Sequence, residues 1–497
     1  MALPAKLLIA NRGEIAIRII RTARAMGIAT VAVYSEDDAA MPHVVLADEA
    51  IAIESADAAS SYLNIAGILN AAAKTGADAI HPGYGFLSER PEFARAVVER
   101  GLLFIGPPAD VMAALGDKVA ARRLAVDAGV PVVPGLDGAD IAAARDFAAR
   151  NGFPILIKAA AGGGGRGMRV VQTADTLEVS LEAAAREAAA AFGDGRLFIE
   201  KYIARPRHVE LQVIADNHGN TFTLGERDCS IQRRHQKIVE ESPAPGLPDN
   251  IRIAMAEAAV KLFGIAGYRN AGTAEFLLDG DAFYFLEANT RLQVEHPVTE
   301  MRFGCDLVAM QIHIAAGEPL VEPMAPRGHA IEVRICAEDA EHDFRPAAGR
   351  VIHLNLPAGL NVRMDTYLAP AAQVSPLYDS LLGKLVVWGA NREEARHRLI
   401  AALDEFMLSG VHHTAAFLRE VVASEAFADA QLSTRFIAEF FPNWRPSPEL
   451  LEAALIAAAI APASASTSGV DTTLRDGALA PRSPWETLGG FELWGRR

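Results

Sequence analysis

A chain of 497 residues has length for about three domains, each with a sizeable core. At 51% hydrophobic and 22% charged it is of ordinary globular composition, and its net charge of −15 argues against a nucleic-acid binder. Three widely spaced cysteines, Cys229, Cys305 and Cys336, form no metal-binding pattern and predict reduced thiols in a reducing compartment, the cytoplasm. The N-terminus lacks a signal-peptide layout, and no apolar run reaches the ~18 residues of a membrane span.

In chain order, residues 7–110 predict strand 7–10, helix 13–26, strand 29–34, helix 61–75, strand 78–80, helix 91–100 and strand 102–105. Strands alternating with helices imply a parallel, doubly wound, Rossmann-like sheet, so the chain is of the α/β class. Its first turn, Asn11-Arg12-Gly13, has one glycine where a dinucleotide fingerprint wants three, so this unit is not expected to bind NAD. A helix at 110–128 and a Pro-rich stretch to Gly135 form a connector. Residues 136–202 predict a small α/β subdomain: helix 139–151, strands 154–158 and 168–172, helix 175–191 and strand 196–200. A larger mixed part over 205–445 carries hairpin signals such as Asp216-Asn217-His218-Gly219-Asn220, with helices near 249–263, 305–315, 391–407 and 412–422. A helix at 448–460, a linker at 461–483 and a Trp-containing motif at 484–494 complete the chain. That motif reads either as the start of a further segment or as an end that docks on its own domain. The expected partition is 1–115, 116–135, 136–203, 204–445 and 446–497.

Between the strands ending at Lys158 and starting at Met168 lies Gly162-Gly163-Gly164-Gly165-Arg166-Gly167. This strand–loop–strand setting fits neither a Rossmann nor a Walker loop. It resembles a flap that lays backbone N–H groups over phosphates; a flexible surface loop is the alternative. Lys158, and Lys118 in Gly116-Asp117-Lys118, can each reach phosphate, although a lone lysine is more often a solvated group. Glu200-Lys201-Tyr202-Ile203 sits at a hinge that can offer backbone groups to an adenine edge.

Thr273–Leu278 and Ala282–Glu287 flank Asp279-Gly280-Asp281 as a hairpin. A three-residue loop places Glu275 and Glu287 on one face; a two-residue loop would separate them. With Asn289 they make an oxygen-rich site suited to Mg²⁺ and nucleotide phosphates, or a plain pair of surface glutamates. The strand is expected to run on, with Arg291, Gln293 and Glu295 on one face and Leu292 and Val294 on the other. A guanidinium fork, an amide and a carboxylate in a row suit a small planar oxyanion that still holds a proton, such as bicarbonate. An Arg–Glu pair on a solvated strand fits that segment equally well. Arg227, Arg233, Arg234, His235 and Lys237 crowd one run, read as a local positive field or as a solvated loop.

Taken together the motifs IANRGEIA (9–16), HPGYGFLSE (81–89), GDK (116–118), GGGGRGM (162–168), EKY (200–202), RHVELQV (207–213), ERDCSIQRRHQKIVEE (226–241), FLEANTRLQVEHPVTE (285–300) and EVRICAED (332–339) resemble the ATP-grasp ligases, and more narrowly the biotin carboxylase family. The resemblance covers residues 5 to about 440. It implies a pre-ATP-grasp N-terminal domain, an ATP-grasp fold with a mobile lid and a mixed C-terminal part. It implies ATP contacts from Lys118, Lys158, Gly163, Gly164, Gly165, Glu200, Lys201, Ile203, His208, Gln232 and His235. Glu275, Glu287 and Asn289 would hold Mg²⁺ or Mn²⁺; Arg291, Gln293 and Val294 would hold bicarbonate. Glu295 would be its base, Lys237 would steady carboxyphosphate, and Arg334 would face the enolate-like biotin. Ala160-Ala161 depart from the Ser-Gly that often opens the family's flap.

The implied partners are a biotin carboxyl carrier protein or domain and a carboxyltransferase subunit, with a homodimer among the open assemblies and no nucleic acid or membrane. The final acceptor stays open among acetyl-, propionyl-, methylcrotonyl-, geranyl-CoA and pyruvate systems. Other ATP-grasp carboxylate–amine ligases and a silent ATP-binding regulator are the competing readings. None of the 11 methionines precedes a lysine, so biotin is expected to arrive on a separate chain or a downstream domain.

Overall fold

The computed structural model describes residues 2–53, 57–138, 140–159, 168–321 and 324–447, with Glu452. They fall into two units, Met1–Arg445 and Pro446–Arg497. The glycine run 162–167 lies outside the described residues, as do the expected linker and motif at 461–494 and nearly all of the helix at 448–460.

The N-terminal region forms a five-stranded parallel sheet in the order Glu49–Ala52, Ala29–Tyr34, Lys6–Ile9, Ala79–His81, Leu103–Phe104. Leu7, Leu8 and Ile9 are fully buried, as a strand covered on both faces requires. The edge strand Glu49–Ala52 was not anticipated, because its mostly exposed Glu-Ala-Ile-Ala sequence carries little β-propensity. The helix expected over 110–128 is two, Ala109–Gly116 and Lys118–Asp127. Asp117 breaks it: its backbone is extended and its carboxylate accepts the Ala120 N–H at 2.8 Å, capping the second helix.

The small sheet orders Gly135–Asp137, Leu197–Lys201, Ile155–Ala159 and Met168–Val171, all antiparallel. The helices Ile141–Asn151 and Leu177–Phe192 share its core with Ile155, Ile157 and Ile199.

The largest element is an eight-stranded antiparallel sheet: Ala282–Asn289, Asn270–Asp279, Arg207–Ala215, Thr221–Arg233, Gln236–Ser242, His329–Cys336, Leu381–Gly389, Val362–Thr366. Along Arg207–Ala215 the alternation is strict. Val209, Leu211 and Val213 join the core of helix Asp249–Ile265, while His208, Glu210 and Gln212 occupy the other face. That polar face is nonetheless buried, and helix His296–Phe303 packs over part of it.

Candidate active site

Cross-strand partners share a face, so the ladder lines up Glu287, Glu275, Glu210 and Arg227 in one row across four strands. The hairpin that contributes Glu275 and Glu287 departs from the expected register. Asp279 pairs with Ala282, leaving a two-residue turn, which by itself would send the carboxylates to opposite faces. A bulge corrects this: the pairing steps from Phe276 with Phe285 to Glu275 with Glu287, and Leu286 is the extra residue.

The expected continuation of that strand through Glu295 does not form; the strand ends at Asn289 and residues 290–295 are irregular. Leu292 anchors this segment in the core beside Leu307 and Ile312. Its polar side chains still converge. Arg291 donates to Glu89 at 2.9 Å, to Gln293 at 2.9 Å and to Asn289 at 3.1 Å. Gln293 and Asn289 both donate to Glu275, at 3.1 and 2.8 Å. Glu295 precedes the helix His296–Phe303 and is fully buried, and Lys384 steadies the turn by donating to the Val294 carbonyl at 2.9 Å.

Lys237 stands at the centre. Its ammonium lies 2.5 Å from Glu210, 2.8 Å from Glu275 and 2.7 Å from Glu295. Arg334 bonds Glu240 at 2.6 Å and Glu295 at 3.0 Å. Burial alone would raise the Glu295 carboxyl, but the charges of Lys237, Arg334 and Arg227 overcome it and hold it well below the ordinary value. Burial likewise opposes the Lys237 ammonium, and its three carboxylates drive it well above the usual lysine value. Glu275 is held low against burial by Lys237 and His208. Glu295 is therefore ionised at neutral pH, and Lys237 is a fixed cation.

Most of the described residues expected to contact ATP line one cavity of about 1360 Å³. Lys118 lies 3.2 Å from Glu287, and Lys158 pairs with Glu200. His208 sits 2.9 Å from Glu275, and Gln232 donates to its Nδ1 at 2.8 Å. His235 also lines the cavity, whereas Lys201 and Ile203 do not. Gly163, Gly164 and Gly165 fall outside the described residues. The positive run over 227–237 does not act as one field: Arg227 is buried against Glu210, Arg233 pairs with Glu338, and Arg234 is exposed beside Asp343. Charge pairing across strands dispersed what sequence proximity had suggested.

Glu210, Glu240 and Glu89 were not singled out from the sequence. The signal for Glu210 was present: a carboxylate at a strand position flanked by Val209 and Leu211 needs a buried counter-charge. The donor set also fits a divalent cation. Glu275 and Glu287 lie directly opposite one another, and Asn289 follows on the same face, giving hard oxygen ligands.

The small sheet presents Lys158 and Glu200, and the large sheet presents Glu275 and Glu287, to one cavity lined by carboxylates and cations alike. Two antiparallel sheets closing on a nucleotide-sized space define the ATP-grasp ligases. Residues 4–112 match the family model described as Biotin carboxylase, N-terminal domain; 117–323 match Carbamoyl-phosphate synthase L chain, ATP binding domain; 332–439 match Biotin carboxylase C-terminal domain. The chain is 52% identical to the biotin carboxylase of Haemophilus influenzae over 412 residues, 82% of this chain and 92% of that protein. It is 45% identical to the mitochondrial methylcrotonoyl-CoA carboxylase subunit alpha of Dictyostelium discoideum over 98% of this chain and 70% of that one. Among solved structures, the biotin carboxylase–β,γ-ATP complex of Campylobacter jejuni superposes with a TM-score of 0.84 at 45% identity, covering 88% of this chain and 99% of that one. The biotin carboxylase domain dimer of Hydrogenobacter thermophilus 2-oxoglutarate carboxylase, in complex with MgADP, ADP and bicarbonate, gives 0.84 at 43% identity, covering 88% and 98%. The chain belongs to the biotin carboxylase family.

Proposed function

We infer that this chain carboxylates biotin at the expense of ATP and bicarbonate, giving ADP, phosphate and carboxybiotin, the first half-reaction of a biotin-dependent acyl-CoA carboxylase. The observation that carries the site-level reading is Glu295, fully buried and ionised between Lys237 and Arg334 beside the Arg291–Gln293 pair. Arg291, Gln293 and the Val294 backbone hold bicarbonate, and Glu295 takes its proton. The bicarbonate oxygen then attacks the γ-phosphorus of ATP and ADP departs. Lys237 steadies the carboxyphosphate, which breaks into CO₂ and phosphate in a site closed to water. The phosphate takes the N1′ proton of biotin, Arg334 stabilises the resulting oxyanion, and the ureido nitrogen captures CO₂.

Glu275, Glu287 and Asn289 would hold the divalent ion, Mg²⁺ or Mn²⁺, which supplies charge neutralisation for the ATP phosphates. Lys118, Lys158, His208, Gln232 and His235, with Gly163, Gly164 and Gly165, contact the nucleotide. Glu200, Lys201 and Ile203 serve the adenine when the lid subdomain 136–203 closes. The partition proposed is 1–115, 116–135, 136–203, 204–445 and 446–497; the family models over 4–112, 117–323 and 332–439 support its first boundary but divide 204–445 further, and the change of composition after Arg445 supports the last. Partners are a biotin carrier protein or domain, a carboxyltransferase subunit and a second copy of this chain. The likeness to a methylcrotonoyl-CoA carboxylase alpha subunit spans the tail as well, which favours an acyl-CoA acceptor of that type. No helix among the described residues is long and apolar enough to cross a membrane; three free thiols favour a reducing compartment, the cytoplasm.

The test is product analysis: ADP and phosphate, formed only with bicarbonate and faster with free biotin. AMP and pyrophosphate would overturn the reading. Equal ATP cleavage without bicarbonate would favour another carboxylate–amine ligase, and no cleavage at all a silent regulator.

A further inference from the structure

Behind Arg334, on the side away from the cavity centre, the large sheet buries two carboxyls that the reaction does not use. Glu240 and Glu332 are direct partners in the antiparallel ladder between Gln236–Ser242 and His329–Cys336, so their side chains stand on the same face. Both are fully buried. Glu240 accepts from the Arg334 Nε at 2.6 Å through one oxygen, and its other oxygen has no hydrogen-bond partner among the described residues. Neither oxygen of Glu332 has one. Arg334 is two residues beyond Glu332 on the same strand and face, and it reaches Glu295 at 3.0 Å.

The surroundings do not supply enough positive charge for two anions. Next to Arg334 the ladder places Lys384, and beyond it Asp365; next to Glu332 it places Val386, and beyond that Arg363. Lys384 is engaged by the Val294 carbonyl and by Glu14, at 2.9 and 3.3 Å. Arg363 is engaged by Asp365 and Glu300, at 2.6 and 2.7 Å. From the helix over this face and the residue that caps it come Glu295, His296 and Glu300, and the buried His296 is held neutral well below its ordinary range by burial and by Lys384. On the other side of Glu240 stand Lys237, engaged by Glu210, Glu275 and Glu295, and the buried Cys229, whose thiol burial raises. Burial and the neighbouring anions raise both carboxyls, Glu240 to about 7 and Glu332 well above its usual value. Two adjacent carboxyls in a dry interior do not both ionise.

We propose that Glu240 and Glu332 share one proton, and that Glu332 is a positioning residue that keeps Arg334 fixed by a single anion from behind while leaving its charge available to the biotin oxyanion. With both carboxyls ionised, Arg334 would face Glu240, Glu332 and Glu295 together. Its guanidinium would be drawn back and over-neutralised at the step where negative charge develops on the ureido oxygen. This inference rests on the assignment of Arg334 to biotin under the proposed function. It predicts that the biotin-dependent step fails at alkaline pH as the shared proton leaves, while bicarbonate-dependent ATP cleavage without biotin does not share that limb.

The experiment compares wild type with Glu332→Gln, which fixes the neutral form, and with Glu332→Met, which tests whether neutrality alone suffices. Rates of ADP release with and without free biotin are measured from pH 6 to 10, as kcat and as KM for biotin. The expected result is an alkaline fall in biotin-stimulated kcat for wild type that both variants lose, with KM for ATP little altered. Infrared difference spectra should show a protonated-carboxyl band in wild type that is lost or shifted in Glu332→Gln. An alkaline limb retained in both variants, or a wild type without the band, overturns the proposal. If neither variant folds, the infrared band and the wild-type pH profiles alone decide it. A control, Arg334→Ala, separates the two levels: if it keeps full biotin stimulation, the assignment of Arg334 falls and this inference with it, whatever the spectra show.

Discussion

The Lys237 ammonium has three hydrogens and three carboxylate partners, Glu210, Glu275 and Glu295, all within 2.8 Å and all buried. Lys237→Met would leave those anions facing one another with Arg227, Arg334 and His208 as their remaining counter-charges. Breaking a buried pair from one side costs about 3–5 kcal/mol. The expected outcome is a fall of that size in unfolding free energy, read from urea titration, together with loss of ATP cleavage; an unchanged midpoint would contradict the assigned pairing. Glu295→Ala should lower biotin-stimulated kcat by about 10²–10³-fold while ATP still binds, measured by steady-state ADP release and nucleotide titration. The pH sign follows from the pairing. The folded Glu295 carboxyl titrates below its unfolded value, so its stabilisation is present above the unfolded carboxylate range. It is lost as the pH falls towards the folded value. Acid should therefore destabilise the wild type more than Glu295→Gln, in thermal melts from about pH 5 down to about pH 2. Arg291, Gln293 and Glu295 were singled out as an alternation along a strand; the strand ends at Asn289, and their side chains come together through an irregular segment instead. Glu210 was not singled out, because its role depends on Lys237, some 27 residues away and brought near only by strand pairing.

At the level of elements, the hairpin that carries Glu275 and Glu287 shows how one extra residue sets which side chains share a face. Deleting Leu286 removes the bulge and leaves the two-residue turn in place. Glu287 then follows Phe285 directly and still meets Glu275, and Ala288 and Asn289 keep their partners, so the shared face is preserved. The expected outcome is a folded protein, by circular dichroism, whose ATP cleavage still responds to Mg²⁺. Loss of Mg²⁺-dependent turnover in a folded variant would mean that the bend of the bulge, and not the pairing alone, sets the position of these carboxylates. The two strands were readable from Phe283-Tyr284-Phe285 and Phe276-Leu277-Leu278, but the bulge was not. A bulge is fixed by which partner residues meet, and the partner strand Asn270–Asp279 is itself pinned by Arg207–Ala215. The break at Asp117 belongs to the same class. Asp117 and Lys118 sit in an otherwise helical stretch, and only the cap geometry shows that Lys118 opens a new helix.

Across the whole of Met1–Arg445, the parallel N-terminal sheet was legible because its strands and helices alternate locally. Of the eight-stranded sheet, the two hairpins around Asp216–Asn220 and Asp279–Asp281 were legible from their turns; its overall order was not, since it joins strands from Arg207 to Gly389 through pairings no local pattern encodes. What ties these two parts together is buried charge. Arg18, on the helix Gly13–Ala25, bonds Glu300 at 2.6 Å and Asp306 at 2.8 Å. Glu300 also accepts from Arg363 at 2.7 Å and from the Leu307 N–H at 2.7 Å, so one carboxylate joins the first helix, the last strand of the large sheet and the start of another helix. Glu300→Gln preserves shape but removes the anion between two guanidiniums. Asp306 and Asp365 still face them, which places the expected loss at about 3 kcal/mol, the low end for a broken buried pair. The midpoint of urea unfolding should fall accordingly with an unchanged m-value, since the surface exposed on unfolding is the same. Glu300 touches no proposed substrate group, so kcat should change less than in Glu295→Ala. A midpoint equal to wild type would mean that the apolar contacts of Ile15 and Ile19 with Leu307 and Ile312, rather than this charge network, hold the N-terminal sheet in place.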